Sequence, residues 1–208
     1  MHTNESVPYS FHYSVHHTSK KPNTPSGDCY YVGSDRQKAM LSIADGLGSG
    51  PEAKASAEKM IQEIETYTPG EMSPLSLLEE GNRTLHGSRG SVVGIAMIDI
   101  DKKQLSYAGI GNITCLVVTP ARQKHYLISN PGFLNGRPFR GVERYVPYHP
   151  EDTVLIFSDG IQLPDNWEYI VTDKLPPDII LQRLVHEMKP VNDDATLIVG
   201  KWLQEKRV

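Results

Sequence analysis

Ser91-Val92-Val93-Gly94-Ile95-Ala96-Met97-Ile98-Asp99-Ile100, Asp101-Lys102-Lys103, then Gln104-Leu105-Ser106-Tyr107-Ala108 is the stretch on which the fold turns. Two β-type runs joined by so short a polar turn can pair only as antiparallel neighbours, because a parallel return needs a crossover of a dozen or more residues. The pattern continues, with Ile113 to Val118 after Gly111-Asn112 and Gln123 to Ile128 after Pro120-Ala121-Arg122. The middle of the chain therefore reads as an antiparallel meander.

Toward the N-terminus, Tyr9, Phe11, Tyr13 and Val15 alternate with Ser10, His12, Ser14 and His16, the period of a half-buried strand. Lys20 to Gly27 is a polar loop, and Cys29 to Val32 and Lys38 to Ala44 are further strands. After Asp45-Gly46-Leu47-Gly48-Ser49-Gly50, Pro51 suits a first helical position, and Ala53, Ala57, Met60, Ile61 and Ile64 recur at helical spacing. Ser73-Pro74 opens a second helix running to about Leu85, with Ser73 as N-cap and Gly81 as an unfavourable interior residue.

Toward the C-terminus, Asn130 to Arg140 is a long loop and Thr153 to Phe157 a buried strand. Pro176-Pro177 opens a last helix that buries Ile180, Leu181, Leu184, Val185 and Met188, and Ala195 to Val199 is a closing strand. Strands, two helices, many strands, one helix and a strand are not a βαβ alternation. They predict an α+β fold of antiparallel sheets covered by helices.

At 208 residues the chain is long enough for one domain with a real core. With 21 Lys+Arg against 25 Asp+Glu it lacks the basic excess that a nucleic-acid backbone requires. No apolar run approaches the ~20 residues of a membrane span. The start, Met1 to Glu5, lacks a cationic and apolar leader, and Cys29 and Cys115 read as reduced thiols, so the expected location is the cytoplasm. His2, His12, His16 and His17 crowd the start and read as a solvent face.

Chemistry is suggested by carboxylates at strand ends. Asp45 follows Leu41 to Ala44, Asp159 follows Val154 to Ser158, Asp193-Asp194 precede Ala195 to Val199, and Asp28 precedes Cys29 to Val32. Singly, each is an ordinary turn residue. Together at one rim they would repel one another unless a cation joined them, and oxygen-only ligands favour Mg²⁺ or Mn²⁺. Asp45 to Gly50 could also cradle an anion at the helix that follows, or be a plain turn; it matches neither a Walker loop nor a dinucleotide fingerprint.

Ala44-Asp45-Gly46-Leu47-Gly48-Ser49-Gly50, Arg89-Gly90-Ser91-Val92, Gly109-Ile110-Gly111-Asn112, Phe157-Ser158-Asp159-Gly160 and Asp193-Asp194-Ala195-Thr196 occur in an order that resembles the metal-dependent serine/threonine phosphatases of the 2C type. The compact bacterial branch, which includes feedback phosphatases of the stressosome, fits best. The resemblance runs from about Tyr9 to Val199. It implies one phosphatase domain over residues 1–208, a four-layer α-β-β-α sandwich of two mainly antiparallel sheets flanked by helices, and two metal ions at one edge. Asp45 matches the bridging ligand, the Gly46 carbonyl a ligand of the second ion, and Asp159 and Asp193 the remaining carboxylate ligands. Asp28 matches the acidic residue that orients water, and Asp194 stands behind the ligands where many relatives carry Asn.

Two positions depart from the larger relatives. Gly27 stands where they carry Glu, which implies a weaker second ion. Asn23 stands where they carry a phosphate-gripping Arg, leaving Lys20 or Lys21 as substitutes, against the plainer reading of a solvated loop charge. The implied activity is dephosphorylation of serine or threonine on phosphorylated stressosome scaffold proteins, by direct attack of metal-bridging water on phosphorus and without a cysteine nucleophile. The protein is expected to act as a monomer, without nucleic acid or membrane. A catalytically weak phosphoprotein-binding module and a small-molecule phosphoesterase are the competing readings.

Overall fold

The computed structural model describes residues 9–21, 24–189 and 192–204. The readings made on Met1 to Glu5, including His2, and on Asn23 lie outside the described residues. Strands β1 (Tyr9–Thr18), β2 (Asp28–Ser34) and β3 (Lys38–Gly46) precede helices α1 (Pro51–Ile64) and α2 (Pro74–Thr84). Strands β4 (Ser91–Asp99), β5 (Gln104–Ile110), β6 (Thr114–Val118), β7 (Lys124–Leu127), β8 (Arg144–Pro147) and β9 (Thr153–Phe157) follow. Helices α3 (Trp167–Thr172) and α4 (Pro177–Glu187) and strand β10 (Ala195–Gln204) complete the order.

These form two five-stranded sheets, β2-β3-β4-β5-β8 and β1-β10-β9-β6-β7, and every named pairing is antiparallel. Period-two alternation sorts each strand between two cores. In β3, Leu41 and Ile43 face the second sheet and meet Ile156, Ile198 and Trp202, whereas Met40 and Ala44 face Met60, Ile64 and Leu78 of the helices. In β10, Ile198 and Trp202 point between the sheets, and Leu197 and Val199 point at Ile180 and Leu184 of α4. The order of layers is thus α1/α2, sheet, sheet, α3/α4, the α+β sandwich expected from the sequence.

The meander reading needs correction. β4 and β5 pair in one sheet, while β6 and β7 pair in the other. The Gly111-Asn112 turn carries the chain across the sandwich, with Gly111 at φ 101°. A tight turn is compatible with either path, and local sequence does not distinguish them. β8 and α3 were not anticipated. The first is a four-residue edge strand ending in Pro147, and the second is a six-residue helix too short to show a period. Gly81 sits inside α2 because Met60 of α1 packs onto it; an added Cβ would lie 2.3 Å from the Met60 sulfur.

Candidate metal centre

The two sheets contribute to one rim. β3 ends in Asp45-Gly46, and antiparallel register sets Asp28 of β2 directly opposite Asp45. Gly46 has no room for a side chain, since a Cβ there would lie 1.8 Å from the Ala53 carbonyl oxygen of α1. The Ser91 hydroxyl donates to the Asp45 carbonyl at 2.7 Å and fixes the strand end. From the other sheet, β9 runs into Ser158-Asp159-Gly160 and the turn Asp193-Asp194 leads into β10. Gly160 lets those two turns touch; its Cβ would stand 2.0 Å from the Asp194 carbonyl oxygen.

Each carboxylate has distinct partners. Asp28 is 2% exposed, and its Oδ2 accepts from the hydroxyls of Ser158 and Thr196, both at 2.7 Å, so it ties one sheet to the other. Asp159 accepts from the Asn112 amide at 2.7 Å. Asp193 lies 3.5 Å from the Lys20 ammonium. Asp194 accepts from the backbone amides of Lys20 and Gly27, both at 2.7 Å, and so holds the loop that leads into Asp28. Asp45 has no hydrogen bond or ion pair to its carboxylate among the described residues.

The electrostatics follow. Burial pushes the Asp45 carboxyl up to about 7, reinforced by the negative charges of Asp28, Asp159, Asp193 and Asp194. Burial also raises Asp28 to about 6; the Thr196 and Ser158 hydroxyls oppose that rise, and Asp194 and Asp159 add to it. The five carboxylates therefore share one electrostatic neighbourhood. Among the described residues, however, no three Asp, Glu, His or Cys groups stand close enough together to grip one ion. Asp159, Asp193 and Asp194 are turned onto Asn112, Lys20 and backbone amides, which is what mutually repelling anions do when local donors are at hand. An all-oxygen donor set with an undercompensated Asp45 at its centre fits a hard divalent cation.

Several site residues escaped the sequence reading. Ser158, Thr196 and Asn112 lie inside the quoted motifs, but nothing local marks them as partners of Asp28 and Asp159. Lys20, read as a solvated loop charge, stands at the rim against Asp193. His17 is exposed, as the solvent-face reading expected, yet it shares the face of Val15 and bonds Thr196 through Nδ1 at 2.9 Å. Cys29 and Cys115 are free. Burial raises both thiols, Cys29 to about 11, so neither is an activated nucleophile.

Comparison with known proteins agrees with this architecture. A family model described as stage II sporulation protein E (SpoIIE) matches residues 35–203. Phosphoserine phosphatase RsbX of Bacillus subtilis (strain 168) is 24% identical over 191 residues, spanning 90% of this chain and 92% of that one. The crystal structure of RsbX in complex with magnesium gives a TM-score of 0.83 at 24% identity, over 92% of this chain and 95% of that one. A chain described under "The bacterial stressosome: a modular system that has been adapted to control secondary messenger signaling" gives 0.80 at 23% identity, over 92% and 100%. The catalytic domain of the serine/threonine protein phosphatase PstP in complex with 2 manganese ions gives 0.73 at 14% identity, over 94% and 99%. These structural likenesses establish the shared fold.

Proposed function

The chain belongs to the stage II sporulation protein E family and is a metal-dependent protein serine/threonine phosphatase of the 2C type, and from that premise we propose that it dephosphorylates stressosome scaffold proteins. On this reading residues 1–208 form one phosphatase domain that works in the cytoplasm as a monomer and resets a stress-signalling complex. The substrate assignment is supported by the likeness to RsbX and to the stressosome chain. Among the described residues no helix is long and apolar enough to cross a membrane.

The observation that carries the chemistry is the shared rim of Asp28, Asp45, Asp159, Asp193 and Asp194. Mg²⁺ or Mn²⁺, bound as two ions, would neutralise the phosphomonoester dianion and lower the pKa of a water toward neutrality. Asp45, Asp159, Asp193 and the Gly46 carbonyl would hold the ions. Asn112 fixes the orientation of Asp159 by its 2.7 Å bond. Asp28 presents a carboxylate whose Oδ2 is already engaged by two hydroxyls, so its remaining lone pairs orient the water that attacks phosphorus. Asp194 ties Lys20 and Gly27 together behind them, and the Lys20 ammonium, beside Asp193, would be a cation at the rim for the phosphate. The second ion would be the weaker, because Gly27 contributes no carboxylate.

Phosphate release from a phosphoserine protein tests the reading. Mn²⁺ should support turnover, chelator should abolish it, and Asp159→Asn should lower it at least about 100-fold, as expected when an electrostatic partner of the transition state is lost. Turnover that survives both treatments would sink the proposal. Partner binding without turnover at any metal concentration would favour the binding module, and preference for free nucleotides over phosphopeptides would favour the small-molecule esterase.

A further inference from the structure

We propose that His17 is a positioning residue of this site: its Nδ1–H donates to the Thr196 hydroxyl, which commits the Thr196 proton to Asp28. The kinetic part rests on the phosphatase reading; the hydrogen-bond part does not. Register places His17 of β1 directly beside Thr196 of β10. Nδ1 is 2.9 Å from Thr196 Oγ1, and that oxygen is 2.7 Å from Asp28 Oδ2. The His17 ring leans on Tyr30 of the opposite sheet, with centroids 5.4 Å apart and planes at 59°.

The direction of the bond follows from counting protons. A hydroxyl has one proton and two lone pairs. Ser158 Oγ accepts from the Thr196 amide at 2.9 Å, so its single proton goes to Asp28 Oδ2 at 2.7 Å. Two hydroxyls converging on one carboxylate oxygen is the bonding pattern of an ionised acceptor. The Thr196 proton therefore points at Asp28, and only lone pairs remain for His17. Nδ1 must then carry the hydrogen and Nε2 must be bare. Asp28 is 2% exposed and Thr196 fully buried, so water has little access to replace either donor.

The charged and titratable groups that act on the ring are Asp194, Lys54 of α1 and His16, and Asp28, Cys29, Tyr30 and Glu58 line the same cavity. Burial lowers the His17 pKa; Asp194 opposes that and Lys54 adds to it, so the ring is neutral above neutral pH and its tautomer is a defined quantity. With the opposite tautomer, Thr196 would donate to His17 and leave Asp28 with Ser158 alone, free to rotate away from the water it orients.

The test uses the full chain. In ¹⁵N-labelled protein at pH 8, ring-nitrogen NMR should show a protonated Nδ1 and an unprotonated Nε2 for His17. The reverse assignment would overturn the hydrogen bond whatever the enzyme does. In turnover of a phosphoserine peptide with Mn²⁺, His17→Phe keeps the ring on Tyr30 but loses the donor, and should lower kcat about tenfold with KM within about twofold, the scale seen when a partner behind a metal site is removed. His17→Asn restores an amide donor near Nδ1 and should return kcat to within about threefold. Unchanged kcat in folded His17→Phe would overturn the positioning role. No turnover by the unmodified protein would instead sink the phosphatase reading and leave the NMR result to decide the hydrogen bond.

Discussion

At Gly27 the absence of a side chain decides how Asp194 sits. A Cβ there would lie 3.0 Å from Asp194 Oδ2 and 3.8 Å from Asp45 Oδ1, so a side chain would enter a space already bounded by two carboxylates. Gly27→Glu should therefore destabilise the protein by about 1–3 kcal/mol through crowding and like charge. Asp194→Asn in the same chain should recover part of that, because it removes the like charge and can donate to the new carboxylate, while its single oxygen keeps only one of the two bonds from the Lys20 and Gly27 backbone amides. Urea denaturation of the single and double variants measures the recovery; additive losses would refute the coupling. The aspartates were legible because each sits at one end of an apolar run. Ser158 and Thr196 were not, since a hydroxyl just beyond a strand or inside one has no local signature. They meet Asp28 only across 130 and 168 positions of sequence.

At the scale of the element, two of the three glycines between the end of β3 and α1 have different reasons to be there. Gly50 caps α1 at φ 83° with nothing within 4 Å of its would-be Cβ, so its requirement is conformational. Gly50→Ala should cost about 1–2 kcal/mol, the strain of a left-handed backbone in an L-residue. Gly46→Ala meets the Ala53 carbonyl at 1.8 Å and can be relieved only by moving α1, so it should cost about 3 kcal/mol or more. Equal losses in urea unfolding would refute the distinction. Helices α1, α2 and α4 were readable because one face of each is apolar at helical spacing, and β3 because it is a short apolar run buried on both faces. The partner sheet of β6 was not readable, because crossing the sandwich at Gly111-Asn112 and turning within one sheet call for the same residues.

At the scale of the whole molecule, the candidate metal centre is a junction between the two sheets. Asp28 and Asp45 belong to one, and Asp159, Asp193 and Asp194 flank strands of the other. Apart from the apolar core between them, the sheets are joined at this rim by the buried bonds of Asp28 to Ser158 and Thr196. Asp45 and Asp28 are raised to about 7 and about 6 in the folded chain, against about 4 for an unfolded aspartate. Between those values the folded state binds more protons than the unfolded one. The stability these groups contribute is thus fully present below about pH 4 and is lost as pH rises through about 7. A divalent cation held by these carboxylates would replace the lost protons and clamp both sheets at once. Mn²⁺ at about 100 times its Kd should stabilise the fold by about 2.7 kcal/mol at pH 8, raising Tm by about 5–10 °C. At pH 5 protons occupy the same carboxylates and compete with the ion, so the rise should shrink to under about 2 °C. Calorimetry at both pH values, each with a chelator control, measures the difference. Equal shifts at pH 5 and pH 8 would mean that the ion binds away from these aspartates.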